Sequence, residues 1–293
     1  MLDFRYHALS LAAVLCALAV GVLIGVAIGD SSLVSSAQDG LVHSLRGEVS
    51  ASQRSLRAAG EKASEQQALA TSLWPLAVRG LLTGRAVGLV FLGGASNEID
   101  SLVQAGVKQA GGEVRSVIAV RDPPDVAALG GQLTGSAYAS LASQPRLLRR
   151  LALHLGEELV AGGRLLERVR PKLLSSYDGQ LGGLAAAVLV RNEPAGMSAA
   201  SSKAAGALDA GLIAGLKARG AMVVGVETTA NEPSQVPWYK SEGLSSVDDV
   251  ETVGGRAALA FALAGYRGAF GAKPSDDAQL PSPTGVPVGP GGP

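Results

Sequence analysis

Cysteine is almost missing from this chain. The one present, Cys16, sits inside a long apolar run, so no disulfide can form within the chain and any outer domain relies on its own core. Histidine and methionine number three each. There is no C-x-x-C, no histidine tract and no methionine cluster, the arrangements a soft metal ion would want. Aromatic residues make up only 4 %, too few for the girdles of a membrane β-barrel, and the long series of alternating strands is missing as well. Any pore would have to come from oligomerised helices. Neither sign of charge prevails: 25 basic residues stand against 25 acidic ones, which gives no reason to expect nucleic acid as a partner. No G-x-G-x-x-G and no Gly-Lys-Ser/Thr is present, and no Ser/His/Asp or Cys/His set can be assigned. The sequence therefore predicts a protein that is not an enzyme and needs no cofactor.

What is present begins with Ala8–Gly29, a run without a charged residue. As a helix it is ~33 Å long, enough to cross a bilayer core of ~30 Å. Arg5, His7 and the amino terminus flank one end and Asp30 closes the other, so the amino end is expected in the cytoplasm and the rest outside. Ala27-Ile28-Gly29 would pass as a cleavage site. The apolar run is longer than the ~7–15 residues of a signal peptide, and residues 1–30 are read as an uncleaved transmembrane signal-anchor. Within it Ala13, Ala17, Gly21, Gly25 and Gly29 recur every fourth residue. On a helix they form a smooth stripe where another helix can approach closely.

Residues 31–75 are predicted to be a coiled coil. With Val42 at position a, the a/d positions run Val42, Leu45, Val49, Ser52, Leu56, Ala59, Ala63, Gln66, Ala70, Leu73. The stripe and the first four apolar positions (Val42, Leu45, Val49, Leu56) form the expected self-association surface.

Residues 76–272 are expected to form an α/β extracytoplasmic domain with a parallel sheet. Strands are predicted at 86–92, 114–120, 184–190 and 222–226, with helices at 96–110, 198–219 and 255–264. A charged, Leu-rich helical insertion occupies about 121–183. From Lys273 onward the tail is rich in Pro, Gly, Ser and Asp and is expected to be disordered.

Few residues are candidates for chemistry. Gly93-Gly94 after a strand is expected to serve a turn rather than a phosphate. Asp248-Asp249 before a helix reads as a cap rather than a metal pair. His154 has Glu158 one helical turn later, where the two could share a metal, although such pairs are usually a solvated face. Trp238 and Tyr239, in a Pro-flanked loop, either meet a partner or pack back on their own sheet; the sequence leaves both open.

The opening MLDFRYHALSLAAVLCALAVGVLIG and the late GLSSVDDV…GGRAALAFALAG…GAFG segment resemble the actinobacterial copper transport protein family, of the mycobacterial outer-membrane copper channel type. The resemblance runs over nearly the whole chain. It implies envelope localisation, copper homeostasis or efflux, and channel formation, with copper as a transported ion rather than a bound cofactor. Arg5, His7, the glycines of the span, Asp248, Asp249, Gly255 and Arg256 match without an assigned role. Two functional readings follow: an oligomeric copper-efflux component, or a bitopic scaffold that presents its α/β domain to a cell-wall remodelling or division partner.

Overall fold

The computed structural model describes residues 4–29, 31–141, 143–144, 146–192, 194 and 196–281; the side chains of residues 4–5, 28 and 31–43 lie outside that description. Two units are distinguished, residues 1–66 and 67–293. In the first, helix α1 (Phe4–Ile28) is followed by the start of α2 (Ser31–Ala77), a helix unbroken through the predicted heptads. Pro75 lies in its last turn.

The second unit is built on a seven-stranded sheet. Its elements in chain order are β1 (Ala86–Gly93), α3 (Asn97–Gln109), β2 (Glu113–Val120), α4 (Val126–Gln132), α5 (Arg146–Ala161), α6 (Arg164–Leu173), β3 (Leu174–Gly179), β4 (Ala186–Asn192), α7 (Ala199–Ala218), β5 (Met222–Val226), α8 (Val236–Ser241), β6 (Ser245–Val247), α9 (Val253–Ala264) and β7 (Ala269–Phe270). The strand order is β3-β2-β1-β4-β5-β6-β7. Every pairing is parallel except β2 with β3. The α/β class and the four main strands are as the apolar runs foretell.

Period-two alternation feeds two cores. On β1, Val87, Leu89 and Phe91 join the face covered by α3 and α9, while Val90 and Leu92 join the face covered by α5, α7 and α8. The helices start where capping side chains stand. Ser96 Oγ accepts from Ile99 N, Ser198 Oγ from Ser201 N and Thr252 Oγ1 from Gly255 N, each cap contributing about 1 kcal/mol.

The insertion docks through close backbone contact. A Cβ on Gly156 of α5 would stand 2.3 Å from Leu212 O, and one on Gly215 of α7 would stand 2.0 Å from Leu153 O. Glycine at both positions lets α5 lie against α7, and Leu148, Leu151 and Leu155 then reach the core.

Three features depart from the sequence reading. The insertion ends in β3, an antiparallel edge strand whose last five residues are exposed and carry no apolar pattern. The Pro-flanked stretch around Trp238 and Tyr239, expected as a loop, forms helix α8 and is followed directly by the short strand β6. The tail expected to be disordered from Lys273 is hydrogen-bonded to the sheet edge as far as Ala278: Ala278 bridges Phe270, and Gly271 N donates to Ala278 O. Carboxylates, not apolar burial, hold it there. Residues 282–293 of the tail lie outside the described residues.

Candidate functional site

Residues Tyr6–Ala27 of α1 form a helix long and apolar enough to cross a membrane, with none of it buried. The stripe Ala13, Ala17, Gly21, Gly25 and Gly29 lies on its open surface. A Cβ on Gly21 or Gly25 would meet nothing within 4 Å. Gly29 differs, because its Cβ would stand 2.9 Å from Gly25 O as the helix closes. On α2, Leu45, Val49 and Leu56 are 51 %, 55 % and 69 % exposed, unusually bare for leucine and valine. Val42 lies in α2 with its side chain outside the described residues.

His154 and Glu158 share α5 but are committed to different tasks. Glu158 Oε2 accepts from Leu166 N at 2.6 Å and so caps α6. His154 Nδ1 meets the Tyr138 hydroxyl, whose pKa burial raises. Among the described residues no three His, Cys, Asp or Glu side chains are placed to hold a metal ion.

Trp238 and Tyr239 part company. Tyr239 is fully buried, with its ring against Gly225, where a Cβ would stand 2.4 Å from it. Arg191 N donates to its hydroxyl at 3.1 Å, and the hydroxyl donates to Val226 O at 3.1 Å. Desolvation pushes its pKa up. Tyr239 is therefore removed from any docking surface: the one-residue offset along α8 turns it inward. Trp238 remains half-buried, with the Arg191 guanidinium 4.7 Å over its ring.

The strand order reverses between β1 and β4, and in such sheets ligands favour the crevice beyond the strand ends at that point. Here it is filled. Asn192 Nδ2 donates to Gly94 O at 2.7 Å. Gly93, with φ +112°, has no room for a Cβ, which would stand 2.2 Å from Asn192 O. The glycines serve the turn. Open space of about 610 Å³ lies one strand along, lined by Arg191, Asn192, Met197, Ser202, Asn231 and Gln235 among others.

The densest charge network lies beyond β5 and β6. Asp248 is fully buried and is not a helix cap. Its Oδ1 accepts from Ala272 N and its Oδ2 from Lys273 N, both at 2.9 Å. Asp249 Oδ2 accepts from the capping Thr252 hydroxyl at 2.9 Å, so Asp249 orients the cap of α9. Burial raises the Asp249 pKa, with the Asp248 and Glu251 charges adding to it. Lys273 Nζ reaches Glu227 Oε1 at 2.7 Å and Asn231 O at 2.8 Å. Asp277 Oδ1 pairs with Lys240 Nζ at 2.8 Å, which lowers the Asp277 pKa. Gly255 and Gly271 are dictated by this network: a Cβ on Gly255 would stand 2.0 Å from Asp249 O, and one on Gly271 1.7 Å from Asp248 Oδ1. Arg256 Nη1 donates to Glu251 O at 2.8 Å. The late segment thus builds one edge of the domain. The signal for this in the sequence is the spacing of its acids and glycines, which has meaning only once β6 and the tail are adjacent.

No curated protein matches the chain. The model of the family described as copper transport outer membrane protein, MctB, matches residues 1–281, from the apolar helix through the ordered tail. The chain belongs to this family of copper transport membrane proteins.

Proposed function

We propose that the chain is a non-catalytic, envelope-anchored component of copper efflux that works as an oligomer. Residues Tyr6–Ala27 cross a membrane with the amino end in the cytoplasm, and the α/β domain stands on the far side. Copies meet along the small-residue stripe of α1 and the apolar positions of α2, and a path for copper is made by the assembled helices. Copper is cargo, not a resident cofactor. The observation that carries this reading is the bare face itself: Gly21 and Gly25 open onto empty space and Leu45, Val49 and Leu56 stand exposed, so these helices bury their surface against lipid and one another.

The test uses cells lacking the chain, complemented with the native form or with Gly21→Leu plus Gly25→Leu. Native protein should restore low cell copper and crosslink to itself in membranes, and the double variant should do neither. Unchanged copper in the cells lacking the chain would overturn the transport reading. Full crosslinking by the double variant would overturn the stripe.

A second reading is the scaffold, in which the α/β domain binds a cell-wall remodelling or division protein. The open space beside Arg191 and the half-buried Trp238 support it. Crosslinking that captures only other copies of the chain would remove it.

A further inference from the structure

The strap of residues 271–278 covers the outer side of β7: Gly271 N donates to Ala278 O, and Asp277 N and Ala278 N both donate to Ala269 O. Two carboxylates from different segments converge where it begins. Asp248 Oδ2 and Asp276 Oδ2 both accept from the single Lys273 N–H, each at 2.9 Å. One N–H cannot neutralise two carboxylates. The remaining oxygen of Asp276, Oδ1, is buried with no partner. A buried orphan acceptor beside a second carboxylate is explained by a proton shared between the two acids.

We propose that Asp248 and Asp276 form a proton-operated clasp. With one proton between them the strap is closed over β7; with both ionised their repulsion loosens it and bares the sheet edge.

The charged surroundings make Asp276 the titrating member. Asp248 accepts one backbone amide on each oxygen, from Ala272 N and Lys273 N, and keeps room for a further donor. Lys273 is drawn toward Glu227 and Asn231 at the end of β5, and Lys240 of α8 toward Asp277. Asp249 and Glu251, between β6 and α9, add only negative charge. Burial and then the hydrogen bond and charge of Asp248 push the Asp276 carboxyl up to about 7. The sign follows. The closed strap holds the proton up to about pH 7, whereas a released Asp276 loses it near its ordinary value of 3.8. Closure is therefore favoured in acid, weakens as pH rises toward 7, and levels off above it.

Hydrogen exchange of the full-length protein in detergent, read at Ala272 and Lys273 and divided by the exchange of an unstructured peptide at each pH, tests this. Between pH 5 and 7 protection should fall by about tenfold per pH unit and then stay level to pH 8. In Asp276→Asn the side-chain amide can donate to Asp248, so protection should be high and level throughout. Level protection in the native protein, an equal slope in Asp276→Asn, or low protection in Asp276→Asn would each overturn the clasp.

Discussion

At the residue scale, identity and environment together decide what a side chain does. Tyr239 reads in the sequence as half of an aromatic docking pair, yet its hydroxyl bridges the ends of β4 and β5 from inside the core. Replacing it with phenylalanine keeps the ring against Gly225 but leaves Arg191 N–H and Val226 O without that partner. Tyr239→Phe should cost about 1–3 kcal/mol, read as a lower midpoint in urea with an unchanged slope. Glu158 tells the same story: next to His154 it resembles a metal ligand, and in the fold it caps α6 through Leu166 N. A sequence spacing of four places two side chains on one helical face but does not say which neighbouring backbone claims them first.

At the scale of elements, glycine inside helices carries information that propensity alone misreads. Each helical glycine costs about 1 kcal/mol against alanine, so their retention in α5 and α7 needs a reason. Gly156 and Gly215 supply it by letting the two backbones touch. Gly206, on the same α7, has nothing within 4 Å of its Cβ position. Gly215→Ala should therefore destabilise the domain by about 1–3 kcal/mol. Gly206→Ala should be neutral or stabilise by up to about 1 kcal/mol. Thermal unfolding of the two variants side by side checks the contrast, and equal effects would mean that α5 and α7 are not in contact in solution. The strands obey simpler rules. β1, β4 and β5 are buried on both faces over most of their length and read as apolar runs, and β2 becomes so only from Ile118 to Val120, whereas β3 is an exposed edge and β6 and β7 are too short to show a period.

For the whole molecule, the division into residues 1–66 and 67–293 separates the unit that carries the exposed apolar helix Tyr6–Ala27 from a unit with two cores of its own. A chain beginning at Gln67 should stay in solution without detergent and unfold in one cooperative step at the same temperature as the domain within the full chain, followed by circular dichroism. Loss of that transition would mean that the first unit is needed for the domain to fold. The charge balance of the chain hides a local order. Glu227, Asp248, Asp249, Asp276 and Asp277 gather at one edge with Lys240 and Lys273 among them, although Glu227 and Asp277 lie 50 residues apart in sequence.

The sequence by itself determined the apolar helix, the long helix after it, the α/β class and the main strands. These depend on local periodicity and on runs of one polarity, which need no knowledge of neighbours. Its amino-terminal and late segments also carried the family resemblance that the match over residues 1–281 bears out. Only the tertiary structure decided that Tyr239 turns inward, that Glu158 caps a helix, and that the first part of the tail is pinned as far as Ala278. The physical reason is common to all three. Composition predicts whether a segment can bury apolar area. It does not predict a hydrogen bond such as that from Lys273 N to Asp248, which depends on two distant segments being brought within 3 Å.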